Sequence, residues 1–270
     1  MAEIISIDDA EDPRVAVYRQ VRERDLVGRQ GGFIAEGEVV LHVLITGGGP
    51  HRAASLLIDG KRLDKLAPLI VALAQETPVY VAGQAVLDAI AGFPIHRGIL
   101  AHGLRAPDAG AAALLAGLDG PALVLALHGI ANHDNMGGLF RNAAAFGVDA
   151  VLLDATSCDP LYRKAIRVSV GAALKLPFAR LAPGEDLPGV LEAAGFAVLA
   201  LSPGGAEPLD GLDRPPRAAL LLGAEGPGLP PDVLARTRTL SIRMAPGWDS
   251  LNVASAAAVA LHELTRGPQS

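Results

Sequence analysis

The sequence has few aromatic residues and only one cysteine. Phe, Trp and Tyr make up 4% of its 270 residues, although 50% of the residues are hydrophobic. The core must therefore be built from Ala, Val, Leu and Ile, whose small side chains favour helices packed closely on a sheet. Cys158 has no second cysteine to pair with, which excludes an intramolecular disulfide and indicates a reducing compartment.

Long apolar runs, a basic excess and metal-ligand spacings are also missing. No apolar run approaches the roughly 20 residues that cross a bilayer, and the acidic N-terminus is unlike a signal peptide. We therefore expect a soluble, cytoplasmic protein with no membrane partner. The formal net charge of −6 argues against a large non-specific nucleic-acid surface but allows a local basic site. The seven histidines show no HExxH or similar spacing, so no metal site is expected.

Alternating helix and strand patterns predict an α/β protein with two domains. Residues 1–106 form a smaller α/β domain, which includes a helix from Arg14 to Val27. Residues 107–120 are rich in Gly, Ala and Pro and are expected to be a linker that contains a short helix. Residues 121–270 form the second domain. Its strands are continuous apolar runs such as ALVLALHG, typical of a mostly parallel sheet covered by helices on both faces.

Ligands bind beyond the carboxyl ends of strands in such sheets, and the first unusual strand end is HGIANHDNMGGLFRNAAAFG. In one interpretation Asp134 or Asn135 caps the following helix and Arg141 is a solvated surface residue. Gly137 and Gly138 argue against this interpretation, because each glycine in a first helical turn lowers helix stability by up to about 1 kcal/mol relative to Ala. Glycines there indicate a close approach of backbone or ligand.

The second strand end is LLLGAEGPGLPPD, a glycine-rich loop around Glu225. Its spacing matches neither the dinucleotide fingerprint nor the P-loop, and it has no Lys or Arg to meet a phosphate. It is either a ligand loop of another kind or a plain turn into a helix that begins with proline.

The third strand end is GWDSLNVASAAAVALHEL. Ser250 is open to interpretation as a helix N-cap or as part of a binding site. A nucleophilic role is less favoured, because the G-x-S-x-G elbow is missing. Asn252, two residues on, offers both a donor and an acceptor, which neither a cap nor a nucleophile at Ser250 requires.

In this order and spacing, the three stretches resemble the three motifs of the SpoU branch of the SPOUT RNA methyltransferases. The matching residues are Asn135, Gly137, Arg141, Phe146 and Gly147 in the first motif, Gly223, Glu225, Gly226, Gly228 and Leu229 in the second, and Ile242, Met244, Ser250, Leu251, Asn252 and Val253 in the third. The N-terminal part, with DPR and FIAEGE, resembles the ribosomal-protein-like substrate-recognition domain of many members. Two positions depart from the family pattern: Arg243 replaces a usual proline, and Trp248 stands where smaller residues are common.

The resemblance implies a C-terminal α/β domain with a deep trefoil knot, a homodimer formed through that domain, and S-adenosylmethionine as cofactor. The reaction it implies is methylation of a ribose 2′-hydroxyl, with ribosomal RNA favoured over transfer RNA as substrate. The implied catalytic residues are Arg141, Asn135, Glu225, Ser250 and Asn252. The implied cofactor-binding residues are Leu222, Gly223, Gly228, Ile242, Met244 and Leu251.

Two basic segments each have two possible interpretations. Each is either a solvated helix face or a surface that contacts the RNA backbone. The segment Leu161 to Pro177 carries Arg163, Lys164, Arg167 and Lys175. The N-terminal segment carries Arg14, Arg19, Arg22, Arg24 and Arg29, with Glu23 and Asp25 among them. Two other protein classes remain as alternatives: a non-catalytic RNA-binding protein of the same fold, and a nucleotide-dependent oxidoreductase, which the missing dinucleotide fingerprint disfavours.

Overall fold

Two hydrogen-bonded sheets organise the chain. The structure is a computed structural model that describes residues 2–19, 27, 31–95, 97–248 and 250–266. The chain divides into two units, one of Met1–Pro107 with Leu161–Lys175 and the other of Asp108–Pro160 with Leu176–Ser270. Among the described residues, no helix is both long and apolar enough to cross a membrane.

The elements of the described residues are as follows in chain order. The strands are β1 Ile4–Ile7, β2 Gly32–Glu36, β3 Arg52–Asp59, β4 Val79–Ala82, β5 Ile99–Leu104, β6 Ala122–Leu127, β7 Ala150–Leu153, β8 Phe178–Arg180, β9 Ala197–Leu201, β10 Glu207–Pro208, β11 Arg217–Leu222 and β12 Arg238–Ser241. The α-helices are α1 Glu38–Thr46, α2 Leu63–Val71, α3 Gln84–Ala91, α4 Ala111–Ala116, α5 His133–Ala145, α6 Arg163–Val168, α7 Ala172–Lys175, α8 Leu187–Ala193, α9 Pro231–Arg236 and α10 Val253–Thr265. Short 3-10 helices span Pro13–Tyr18 and Gly60–Arg62.

The first unit is built on a five-stranded mixed sheet in the order β1-β4-β3-β5-β2. Strands β1, β4 and β3 run parallel, whereas β5 is antiparallel to both of its neighbours. One face of the sheet buries an apolar cluster that includes Ile7, Leu57, Leu87 and Ile90. These buried aliphatic side chains supply the hydrophobic free energy that a small sheet needs.

The helix expected from Arg14 is wrong over the residues that the structure describes. Pro13–Tyr18 is a 3-10 helix, and Arg19 already has an extended backbone at φ −85° and ψ 126°. The β-branched Val15 and Val17 disfavour a continuing α-helix. Residues 20–26 and 28–30 lie outside the described residues, and with them Arg22, Arg24 and Arg29.

The basic segment Leu161–Lys175 belongs to the first unit, although the sequence placed it in the second domain. It forms α6 and α7, and α6 packs on β2. Glycine is required at Gly171, where φ is +85° and an added Cβ would lie 3.0 Å from Cβ of Val43. The segment is therefore anchored by its buried apolar side chains, and its arginines remain at the surface of this unit.

The second unit contains a seven-stranded sheet in the order β10-β12-β9-β11-β6-β7-β8. Every pairing in it is parallel. All side chains of β6 and β7 are buried, so both faces of the central strands are covered. One face packs against helices α4 and α8 through Leu115, Leu187 and Leu191, and α10 contacts β11. The predicted α/β fold with a parallel sheet is confirmed.

The expected linker, residues 107–120, contributes to the core of the second unit. It contains the expected short helix, α4, whose Leu115 is 1% exposed and packs in the cluster beneath the sheet. Ala111, Leu114 and Leu118 pack against the same cluster. A segment with this burial is part of the second unit rather than a connection outside it.

Candidate functional site

A cavity of about 560 Å³ opens at the carboxyl ends of parallel strands in the second unit. Leu201 and Leu222, the last residues of β9 and β11, are part of its lining. This is the position at which open parallel sheets bind ligands, and the volume falls within the range of small-molecule sites. The described lining carries one charged side chain, that of Glu225, and no Lys or Arg.

The glycine-rich loop forms one wall of this cavity and folds back on itself. A Cβ at Gly223 would lie 2.4 Å from the carbonyl carbon of Gly228, so no other residue fits without moving the backbone. The N–H of Gly228 donates to the carbonyl oxygen of Ala224 at 3.0 Å, which closes the loop. Gly226 and Gly228 have φ values of +86° and +69°, which favour glycine. These glycines are required by the loop's own geometry, and the loop lines the cavity.

Asn252 caps helix α10, so the interpretation of Ser250 as the N-cap is wrong. Oδ1 of Asn252 accepts hydrogen bonds from the N–H groups of Ala254 at 3.0 Å and Ser255 at 3.3 Å. Ser250 lies two residues before this cap and lines the cavity. The cap falls on Asn252 because α10 begins at Val253, after the cavity-lining turn.

In the first motif, too, the helix is capped by a residue other than the predicted ones. Helix α5 is capped by Asn132, whose Oδ1 accepts from the N–H of Asp134 at 2.8 Å, and not by Asp134 or Asn135. Asn135, 6% exposed, instead lies in the first turn of the helix. An added Cβ at Gly138 would lie 2.9 Å from Cβ of Ala254, so this glycine permits the close approach of α5 and α10. The expected close approach at Gly138 is therefore between two helices.

Three predicted catalytic side chains meet at the start of α10. Nδ2 of Asn252 donates to Oδ1 of Asn135 at 2.8 Å and to Oε1 of Glu225 at 2.7 Å. Its Oδ1 already accepts two cap hydrogen bonds, so the amide makes all the hydrogen bonds that it can make. Asn252 consequently joins the three motifs and leaves Nδ2 of Asn135 and the second oxygen of Glu225 for other partners.

The predicted cofactor residues lie together, whereas Arg141 lies elsewhere. The cavity lining includes Leu222, Gly223, Gly228, Ile242, Met244 and Leu251. It also includes the predicted catalytic residues Glu225, Ser250 and Asn252. Arg141 is exposed on α5 and is absent from that lining. It makes no hydrogen bond or ion pair within the described part of the chain, so its guanidinium faces solvent.

Two parts of the site lie outside the residues predicted from the sequence. Leu201, Ser202 and Pro203 line the cavity at the end of β9, and the carboxyl-end rule could have identified them from the strand FAVLALS. Asn142, beside Arg141, donates from Nδ2 to the carbonyl oxygen of Ala254 at 2.7 Å. No local pattern could have identified Asn142, because its partner lies far along the sequence.

A buried carboxylate organises the loops beside α5. Oδ1 of Asp154 accepts from Oγ of Ser157 at 2.6 Å and from the N–H of Gly129 at 3.1 Å. Burial alone would raise the pKa of Asp154, but hydrogen bonds from Ser157, Thr156 and Gly129 outweigh it and lower the pKa below its usual range. Arg180 donates to the carbonyl oxygens of Asp154 and Ser157 at 3.0 and 2.6 Å. The network fixes the loop after β7.

The remaining candidate residues take structural or surface positions. Arg163 and Arg167 lie 3.8 and 3.9 Å from Oε2 of Glu36, which is 7% exposed as a residue. Arg243 forms an exposed ion pair with Asp210, and Trp248 is 76% exposed. Asp249 lies outside the described residues. Among the described residues, no cluster of His, Cys, Asp or Glu could hold a metal ion.

Known proteins resemble this chain in sequence and in fold. The family model described as the SpoU rRNA methylase family matches residues 122–262. An uncharacterized tRNA/rRNA methyltransferase of Mycobacterium bovis is 37% identical over 98% of this chain and 92% of its own length. A second one, of Synechocystis, is 30% identical over 98% of this chain and 95% of its own length.

Two solved structures share the fold over nearly the whole chain. The AdoMet-bound rRNA methyltransferase from Sinorhizobium meliloti superposes with a TM-score of 0.83 at 22% identity, covering 99% of both chains. The SpoU methyltransferase AviRb from Streptomyces viridochromogenes, in complex with AdoMet, gives 0.80 at 24% identity and covers 94% of this chain and 97% of its own. At these identities the likeness establishes the fold.

Proposed function

The chain belongs to the SpoU rRNA methylase family and is an RNA methyltransferase, and we propose that it uses S-adenosylmethionine to methylate a ribose 2′-hydroxyl of RNA. The observation that supports the cofactor is the cavity at the ends of β9 and β11, which is lined by apolar side chains, glycine backbone and Glu225. A site without Lys or Arg in its described lining suits a ligand that has no phosphate and carries a positive charge.

The cavity residues divide into groups that would hold different parts of this cofactor. Ile242, Met244 and Leu251 offer apolar contact, and the backbone of Gly223 to Gly228 offers hydrogen bonds to a base or ribose. The Glu225 carboxylate is the charge in the described lining that attracts a cation. S-adenosylmethionine supplies, when bound, a methyl group activated by its sulfonium, so the protein has to position the reactants and stabilise charge.

The polar residues around α10 would position the RNA ribose. Asn135 retains two donor hydrogens on Nδ2 after its Oδ1 is fixed by Asn252. Ser250, at the cavity rim, offers a hydroxyl to the ribose or its phosphate. Because the amide of Asn252 is fully used, we assign it to holding Asn135 and Glu225 rather than to touching substrate.

Arg141 would act on the RNA by electrostatics. A guanidinium keeps its positive charge in proteins, so Arg141 suits binding a phosphate and stabilising a developing alkoxide rather than accepting a proton. Its exposure on α5 leaves it accessible to a large ligand such as RNA.

The homodimer, the trefoil knot, the ribosomal-protein-like N-terminal domain and the cytoplasmic location remain predictions.

Two measurements test this proposal. Calorimetry is expected to show micromolar binding of S-adenosylmethionine and of its demethylated product, and no binding of NAD or ATP. Incubation with methyl-labelled cofactor and total RNA is expected to give label in nucleotides whose 3′ linkage resists alkali, because a 2′-O-methyl group blocks alkaline cleavage. Failure to bind either methyl-cycle compound would refute the cofactor assignment, and label only in alkali-sensitive positions would refute ribose methylation.

The choice between ribosomal and transfer RNA needs a separate experiment. We favour ribosomal RNA, with transfer RNA as the alternative. Mapping 2′-O-methyl sites in RNA from a strain that lacks the gene is expected to show the loss of a ribosomal site. Loss of a transfer RNA site with all ribosomal sites retained would overturn this choice.

A further inference from the structure

Trp248, the single tryptophan of the chain, lies on the loop that joins two parts of the cavity lining. Met244 and Ser250, on either side of it, both line the cavity. Two residues of extended chain span at most about 7 Å, so the backbone of Trp248 stays within that distance of Ser250. Trp248 therefore lies on the loop beside the cavity lining.

Trp248 ends a tight backbone turn and is exposed. The N–H of Trp248 donates to the carbonyl oxygen of Ala245 at 3.2 Å, and Gly247 has a φ of +86°, which favours glycine. Trp248 is 76% exposed, the largest fraction among the exposed large hydrophobic residues that the structure describes. Leu251, on the cavity lining nearby, is 46% exposed. The rim therefore presents apolar surface next to the proposed reaction site.

A cation accompanies the indole on this loop. Arg243 precedes Met244, and its side chain is 79% exposed while it pairs with Asp210. An exposed ion pair contributes little free energy to folding, so an RNA phosphate can compete with Asp210 for this guanidinium. Aromatic side chains combined with basic groups form the usual platform for unpaired nucleotides, since every base has a face on which an aromatic ring can stack.

We propose that Trp248 stacks on an unpaired nucleobase of the RNA next to the ribose that is methylated. The proposal rests on the proposed function, and it assigns Trp248 to substrate selection rather than to the chemical step. The stacking contact would select RNA substrates that offer an unpaired base beside the target ribose. The preferred RNA would present its target in a single-stranded loop or bulge.

Steady-state kinetics on the full chain provide the first test. Trp248→Leu removes the aromatic face but keeps an apolar side chain, and it is expected to raise KM for RNA about tenfold with kcat and cofactor affinity nearly unchanged. Trp248→Phe retains a stacking ring and is expected to restore most of the affinity. Val71→Ala, at another exposed apolar residue, 67% exposed, is the control and should leave KM unchanged. An unaltered KM in Trp248→Leu would overturn the proposal.

Fluorescence provides a second test, because Trp248 is the only tryptophan. A single-stranded oligoribonucleotide containing the mapped target is expected to quench its emission, and a duplex of the same sequence to quench it much less. Quenching by the demethylated cofactor alone would mean that the indole covers the cofactor, and a changed molecular mass of Trp248→Leu would place it in a subunit contact. Either result overturns the proposal.

The two proposals fail in distinguishable ways. If the wild-type protein binds the cofactor and methylates RNA while the Trp248 variants behave like wild type, the function stands and the stacking role is wrong. If no methylation occurs but a single-stranded oligoribonucleotide quenches Trp248, binding of RNA by the indole stands, whereas the proposed reaction and the placement of the base beside a methylated ribose are wrong.

Discussion

The side-chain amide of Asn252 donates a hydrogen bond to Oδ1 of Asn135 at 2.8 Å and thereby ties the start of α10 to the first turn of α5. The same amide reaches Glu225 in the glycine-rich loop. One residue thus connects the three strand ends that the sequence singles out. Its backbone is fixed at the helix N-terminus, so the position of the amide is set before any ligand binds.

Replacement of Asn252 by serine distinguishes its role as the cap of α10 from the hydrogen bonds that its amide donates to Asn135 and Glu225. Serine still caps α10, so the change of cap should cost less than about 0.5 kcal/mol, and most of any loss of stability should come from the two broken hydrogen bonds. Both amide hydrogen bonds are lost, and the freed Asn135 and Glu225 side chains should lower kcat/KM about a hundredfold, because small misplacements have effects of that size. Thermal unfolding and methylation kinetics measure the two effects.

Asn132→Ser is the matched control for this change. Asn132 caps α5 with the same geometry, and its amide donates no hydrogen bond within the described residues. Its serine variant should therefore keep nearly full activity. Equal losses of activity in both variants would show that capping, rather than the Asn252 network, is what catalysis requires.

We expect the Gly223→Ala variant to bind the cofactor more weakly, because Gly223 is closely packed in the glycine-rich loop. The added Cβ would lie 2.4 to 2.6 Å from backbone atoms of Gly228 and Leu229, so the loop must open. We expect cofactor affinity to fall at least about tenfold and stability to fall by about 1–3 kcal/mol. Calorimetry with the demethylated cofactor measures the affinity.

Gly204→Ala is the control for the glycine-rich loop. Nothing lies within 4 Å of a Cβ added at Gly204, and its φ lies outside the region that favours glycine. It should bind the cofactor as the wild type does. Wild-type affinity in Gly223→Ala would contradict the assignment of this loop to the cofactor.

The fold and the individual loops could be predicted from sequence, but the contacts between the loops could not. Continuous apolar runs such as ALVLALHG identify strands buried on both faces, and all of β6 is buried. Short strands such as Glu207–Pro208 have no such signal, because their pairing depends on distant neighbours. The caps are Asn132 and Asn252 rather than the predicted residues, because the backbone turn, and not the first polar residue, decides which side chain reaches the helix N–H groups.

Long-range packing accounts for the other differences. Gly138 is required by Ala254 on another helix, and the segment Leu161–Lys175 joins the first unit through its buried apolar side chains. A single sequence carries no information on which distant surfaces meet. Arg141 also shows this limit, since its motif position indicates chemistry but not its distance from the cavity.

Arg141→Ala should lose methylation while retaining cofactor binding. Arg141 is absent from the cavity lining, so the cofactor affinity should stay within about twofold of wild type. On the proposed role of Arg141 at the reacting oxygen, its loss should lower kcat about a hundredfold to a thousandfold. Arg141→Lys keeps the charge and should recover part of the rate. A fully active Arg141→Ala variant would remove Arg141 from the catalytic residues.

The Asp154 carboxylate predicts a stability change in acid. Its hydrogen bonds lower its pKa in the folded protein below the ordinary value of 3.8. A lowered folded pKa means that the stabilisation is complete above about pH 4 and is lost as the pH falls through the folded pKa. Asp154→Asn removes a hydrogen-bonded buried carboxylate and should lower the free energy of unfolding at pH 7 by about 1–3 kcal/mol.

The difference between wild type and Asp154→Asn isolates this group from other carboxylates. Asp12 and Glu207 also have lowered pKa values, caused by hydrogen bonds from Arg14 and Arg238, and they titrate equally in both proteins. Urea unfolding from pH 7 to pH 3 should therefore show that the difference in free energy of unfolding between wild type and Asp154→Asn becomes smaller only below pH 4. A constant difference over that range would mean that the Asp154 carboxylate is not selectively stabilised in the folded state, and that the loop after β7 is held by Arg180 instead.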